Sequence, residues 1–286
     1  AYHNESGSIM VGNNSVLYIN GSAYNNEDYS SGSKGEVNIG RNSVVYVNGN
    51  LTVKGGGRLT VAKGAVLVVN GQLDCSVIRA AEGSTIYCKS LTNGRSDGIT
   101  LGNFYCDGNV FSYGMTVFSS QDNPANVFIG GNYVTNSTDN AITIQDYGKV
   151  IIKGSANCGD ISVNSNGGLY CDGSITTKSL TNKTSAVMLC RGGLQLNSGG
   201  NLSNDGVVYA MSDLYIDGNF ANGSNAKTYC GGKLTINGSD ETVMTMGIAY
   251  VGKNIVGNGC LRVKGILSVA GSPHGSDDPN LADYTE

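Results

Sequence analysis

Eight cysteines are the residues best placed to do chemistry in this sequence, and their spacing points to cross-linking. No Cys-x-x-Cys occurs, and the two histidines, His3 and His274, stand near opposite ends. A zinc centre needs clustered thiolate and imidazole ligands, so no metal site is expected. Cys88, Cys106, Cys171 and Cys230 each follow a tyrosine and precede the same kind of bend. Cys75 with Cys88, and Cys158 with Cys171, share one spacing, which makes them the best candidate bridges; Cys190 and Cys260 complete the set. Two readings stay open: disulfides, which are preferred, or a column of buried free thiols packing as small hydrophobes.

Catalytic chemistry has little support. No Gly-x-Ser-x-Gly elbow and no phosphate-cradling Gly loop followed by Lys is present. Asp97, Asp107, Asp160 and Asp172 are the carboxylates from which a glycosidase pair would be drawn, but Asp97, Asp107 and Asp172 each precede Gly, where a turn explains them. No catalytic residue, cofactor or metal is therefore expected, and the protein is read as a non-enzyme. The Gly-Gly stretches do not continue into a calcium-binding nonapeptide, and the threonines, Thr176 and Thr177 among them, do not fall into the regular columns an ice-binding face requires. Sixteen tyrosines without a tryptophan offer sugar stacking in an adhesin, although tyrosines repeating at strand edges are the preferred reading.

Side chains of this kind need a scaffold, and composition limits the choice. Charged residues are 14% and glycines number 43, with abundant Asn and Ser, which disfavours helices. The net charge of −4 is carried by Asp277, Asp278, Asp283 and Glu286, leaving a neutral body with no basic stripe for nucleic acid. Apolar runs such as Val66 to Val69 are strand-sized, so no transmembrane segment is expected. Ala1 reads as the end left by a removed signal peptide. N-glycan acceptor patterns at Asn4, Asn13, Asn20, Asn50, Asn136, Asn182, Asn201, Asn222 and Asn237 agree with secretion to a cell surface.

Repeats set the architecture. Asn-Gly and Asp-Gly pairs recur throughout, and we read them as bends that accept positive φ. Between them lie alternating strands such as Val37/Ile39, Val45/Val47 and Leu59/Val61. A unit of strand end, Gly-supported bend and strand start returns at Tyr46–Leu51, Tyr105–Val110, Tyr170–Ile175, Tyr215–Phe220 and Tyr229–Leu234. GNNSVLYING from Gly12 nearly repeats as GRNSVVYVNG from Gly40, and KSLTN at Lys89–Asn93 returns at Lys178–Asn182. These imply an all-β fold of short strands in a β-solenoid or stacked β-arch. The organisation expected is a leading segment over 1–8, a repetitive domain over 9–270 with duplicated modules over about 73–155 and 156–240, and an acidic flexible tail over 271–286.

With its YCDG bends at Tyr105 and Tyr170, duplicated cysteine sets and neutral body, the chain resembles the Gly- and Asn-rich β-solenoid and β-arch proteins of prokaryotic cell surfaces. More narrowly, it looks like the sheath protein of filamentous methanogenic archaea. That resemblance implies amyloid-like hoops around cells, strengthened by disulfides. The function expected is an extracellular structural protein that polymerises with itself through strand edges. The alternatives are an adhesin or stalk binding cell-surface glycans, and a β-helix enzyme degrading polysaccharide.

Overall fold

The computed structural model describes residues 2–4, 8–25, 35–93, 98–135, 141–197, 199–237, 242–244, 247–257 and 261–270. Within them the chain is a parallel β-solenoid, a sheet wound into a coil of three faces with no helix among the described residues. One turn shows the plan. Ser8–Val11 lies on face 1, Val16–Ile19 on face 2 and Ala23–Asn25 on face 3; Glu36–Ile39 then pairs in parallel with Ser8–Val11 and begins the next turn. Most strands are three or four residues long, while Leu51–Val61, Val66–Ala80 and Thr85–Asn93 continue through corners from one face to the next.

Period-two alternation does the folding. Strands over 37–39, 45–47, 51–53 and 59–61 point their apolar residues inward, and Val37, Ile39, Val45, Val47, Leu51, Val53, Leu59 and Val61 are buried. A parallel coil stacks like on like, so each inward residue meets its counterpart one turn away and a continuous apolar core fills the coil. The two copies of the GNNSVLYING repeat are such neighbours, with Val16 opposite Val44 and Tyr18 opposite Tyr46. Tyr2–Asn4 pairs with Ala23–Asn25, so the sheet begins inside the leading segment assigned to 1–8; the tail over 271–286 lies outside the described residues. The KSLTN repeat is not a structural equivalence, because 91–93 runs on face 3 and Leu180–Asn182 on face 1.

The recurring bend is the corner from face 2 to face 3. There a short polar side chain of one turn accepts a backbone N–H of the next: Asn50 Oδ1 from Gln72 at 2.9 Å, Asn109 from Asn132 at 2.8 Å, Asn132 from Ser155 at 2.8 Å. These bonds satisfy donors that would otherwise lose their ladder partners at the corner. Gly21 takes the positive φ expected from sequence, while at the later bends glycine is needed for a different reason. At Gly173 a Cβ would come within 2.6 Å of the Gly154 carbonyl oxygen and 2.8 Å of its carbon, so closeness between turns excludes a side chain.

Among the described residues, positive φ at residues other than glycine falls at the other corner, from face 1 to face 2, where Asn14, Asn42, Tyr147, Asn166 and Ser185 adopt the left-handed region. Asparagine tolerates that region and serine does so poorly. Ser185 is exposed at φ 60°, so Ser185→Asn is expected to stabilise the protein by about 0.5–1 kcal/mol, read as a higher urea midpoint at unchanged slope. An unchanged or lower midpoint would count against strain at this corner.

Candidate functional site

Five of the cysteines occupy one inward column at the end of face 2. Register places Cys88 directly beside Cys106, and Cys171 beside Cys190; the column continues through Ala210 to Cys230. Cys75 lies on face 3 between Val53 and Asn93, and Cys158 follows the face 3 strand Ala156–Asn157. The spacing-matched pairs Cys75–Cys88 and Cys158–Cys171 therefore sit on different faces, and the in-register neighbours are other pairs. The seven described cysteines are buried free thiols; Cys260 lies outside the described residues. Burial pushes the Cys75, Cys158 and Cys190 thiols up to about 12 and Cys171 to about 11. Cys88 is raised by its hydrogen bond with Cys106 and by burial.

A second inward column was not read from the sequence. Asn182, Asn204 and Asn222 stack on face 1, with Asn182 Nδ2 donating to Asn204 Oδ1 and Asn204 Nδ2 to Asn222 Oδ1, each at 2.9 Å. The ladder stops at Val163, the residue opposite Asn182 in the preceding turn, and Asn182 Oδ1 has no hydrogen-bond partner. Asn182 and Asn222 match the glycan acceptor pattern, but both are fully buried, and a sugar on either would require breaking the ladder. Asn13, Asn20, Asn50 and Asn201 are exposed and Asn237 is half-buried. Asn4 pairs in the first strand, and Asn136 lies outside the described residues.

The outward surfaces differ by face. On face 1, Thr60, Arg79, Thr100, Thr116, Thr143, Ser162, Thr181 and Ser203 form one outward column, so the threonines do align, against the sequence reading. Neighbouring turns differ so much in length that no fixed spacing betrays the column; register partners on face 1 lie from 16 residues apart, Ile99 and Met115, to 28, Ser8 and Glu36. The column is one residue wide and interrupted by Arg79.

Face 2 carries an aromatic column. Tyr18 stacks on Tyr46 at 5.1 Å, Tyr87 on Tyr105 at 4.9 Å, Tyr209 on Tyr229 at 4.6 Å and Tyr229 on Tyr250 at 5.0 Å, with ring planes 6° to 13° apart. Rings stacked this way cover one another's faces and turn their edges and hydroxyls outward. A pyranose binds to an aromatic face, so the ladder ties turns together, at about 0.5–1.5 kcal/mol per pair, rather than presenting a platform for sugar.

Among the carboxylates, Asp107 and Asp172 share the outward column at the end of face 2, with Gly130 and Lys153 between them, as the alignment of Cys106, Ile129, Ile152 and Cys171 requires. Three turns at about 4.8 Å place them roughly 14 Å apart, beyond either glycosidase separation. Asp172 is held by Lys153 at 2.9 Å and Arg191 at 3.5 Å, and the hydrogen bond from Lys153 keeps its carboxyl below the usual range. Asp160 lies at the start of face 1, before Ile161, and Asp97 lies outside the described residues. Among the described residues no three His, Cys, Asp or Glu side chains gather as a metal site would need, and no helix is long and apolar enough to cross a membrane.

Among the described residues the first and last turns are the least covered. Ile9, Val11, Leu17 and Ile19 point inward in the first turns yet are only half-buried, whereas their partners Val37, Ile39, Val45 and Val47 are 0% to 3% exposed. At the other end Ile255, Leu267 and Val269 are likewise half-buried.

These features define a parallel β-solenoid built on inward asparagine and cysteine columns and outward tyrosine and threonine columns. No protein-family model matches the chain, and comparison with characterised proteins and with solved structures finds no match.

Proposed function

We propose that the protein is a structural subunit that polymerises end to end into an extracellular surface assembly, a sheath, coat or fibre, and that it works without catalysis. The observation that carries this reading is the half-covered apolar interior of the terminal turns, whose strands on faces 1 and 2 at the start and face 2 at the end pair on one side among the described residues. An open parallel edge is a template for a further strand, and a second copy offers one with the same three-face cross-section. Stacking would hide Leu17 and Ile19 of one copy against Leu267 and Val269 of the next. The cysteine columns add the option of bridges between successive turns, with Cys88–Cys106 and Cys171–Cys190 favoured by register.

Negative-stain electron microscopy and sedimentation of the chain, with and without thiol reductant, test the proposal. Ordered fibres, tubes or sheets are expected, and Leu267→Lys should prevent them by placing a charge in the end-to-end contact. Monodisperse monomer at high concentration under both redox conditions would overturn it.

A further inference from the structure

Face 2 differs from the other faces in carrying an outward column that is aromatic or aliphatic from Tyr18 to Tyr250, beside a first outward column that is mixed, with valines toward its two ends and Thr85, Asn103, Asn126 and Lys149 in the middle. Its two outward columns run through Val16 and Tyr18, then Val44 and Tyr46, and on to Val207 and Tyr209. Among its residues Val16 is 79% exposed, Tyr18 60%, Ile151 38% and Ile266 60%. Face 1 presents the hydroxyls described above, and face 3 mixes residues such as Asp74, Thr92 and Gln195 with Phe111. Eleven turn-to-turn steps from Tyr18 to Tyr250 make a stripe about 50 Å long, and two outward residues with their side chains make it on the order of 15 Å wide. That is a face of roughly 750 Å², apolar along one column and mixed along the other, close to the ~800 Å² per partner that a stable complex buries with a surface only partly apolar.

We propose that face 2 docks against face 2 of a second copy, giving coils paired side by side about a two-fold axis. A second copy fits the chemistry of the stripe better than a glycan does. The rings already cover each other's faces, so the surface offers edges, methyl groups and a flat pleat, which is what another such sheet packs against at about 10 Å. Its first outward column carries Lys149 and Lys227 and no acidic residue in either column opposes them; both lysines are exposed, with stems long enough to carry the ammonium to the rim. The contact uses a sheet face, so it is independent of the end-to-end stacking proposed above.

The test separates the two contacts. In the full chain carrying Leu267→Lys, which blocks the ends, analytical ultracentrifugation should show a monomer–dimer equilibrium. Adding Tyr105→Lys and Ile151→Lys should raise its dissociation constant more than tenfold at unchanged far-ultraviolet circular dichroism. On the unblocked chain the same two substitutions should leave single, unpaired coils that still elongate. A Leu267→Lys chain that stays monomeric at every concentration would overturn lateral pairing whatever the ends do, as would a dimer indifferent to the face 2 lysines. If the double substitution unfolds the chain, Asn126→Arg, at an exposed polar position of the first outward column, gives the same readout with less disturbance.

Discussion

Replacing Asn204 with aspartate is expected to cost on the order of 3–5 kcal/mol at neutral pH, one of the largest effects available in this protein without touching its apolar core. Asn204 is 1% exposed and uses its whole side chain. Its Nδ2 donates to Asn222 Oδ1 at 2.9 Å, to the Lys227 carbonyl at 3.0 Å and to Thr228 Oγ1 at 3.0 Å. Its Oδ1 accepts from Asn182 Nδ2 at 2.9 Å and from the Gly206 N–H at 3.0 Å. A carboxylate has the same shape but sets an oxygen against two acceptors and buries a charge without a cation. Burial raises the new carboxyl's pKa above its unfolded value, so the penalty is absent below the unfolded pKa and grows as pH rises toward the folded one. Urea unfolding should therefore show a variant close to Asn204→Ala at pH 4 and far weaker at pH 7. A variant within 1 kcal/mol of the parent at pH 7 would mean that the ladder does not carry the interior.

How much of this was legible in the sequence depends on whether a residue announced its direction. Val45 and Val47 did, because apolar alternation between Asn-Gly bends has no other reading. Asn204 did not. Asparagine is common at turns, and Asn182 and Asn222 also match glycan acceptor patterns, so the polar interpretation came first. The signal was present in the period: Leu180-Thr-Asn182, Leu202-Ser-Asn204 and Phe220-Ala-Asn222 each place asparagine two residues after an inward apolar side chain. A period-two reading would have carried it inside. Cysteine register was harder, because the match of Cys75–Cys88 with Cys158–Cys171 is real in sequence, yet it counts around a turn when contact is made between turns. Loops of unequal length make that distance unreadable until the pairing of Cys88 with Cys106 is seen. The threonine column was hidden by the same irregularity. The glycine of the bend is legible in the sequence but its reason is not: Gly21 takes a positive φ, whereas at Gly173 closeness to the neighbouring turn excludes a side chain, and the two leave the same mark on one sequence.

Buried thiols lead to the other large effect, a steep loss of stability in alkali. Cys75, Cys158 and Cys190 are pushed up to about 12 by burial, from an ordinary value near 9. The Cys75 thiol donates to the Val77 carbonyl at 3.1 Å, and Cys190 faces the Gly173 carbonyl at 3.4 Å, so each also has a use for its proton. Below pH 9 the thiol is protonated whether the chain is folded or not, and stability is unaffected. Between pH 9 and 12 the unfolded chain gives up protons that the folded chain keeps, so each such thiol removes about 1.4 kcal/mol of stability per pH unit, and three together remove roughly 4. Urea midpoints should be level to pH 9 and fall sharply by pH 10.5. Cys75→Val combined with Cys158→Val should flatten the slope, because valine fills a similar volume and has no proton to lose. A midpoint unchanged from pH 8 to 10.5 would mean that the thiols are bridged or open to solvent. Maleimide labelling of the native protein at pH 8 separates those cases, since exposed thiols react at once and bridged ones do not react even after unfolding.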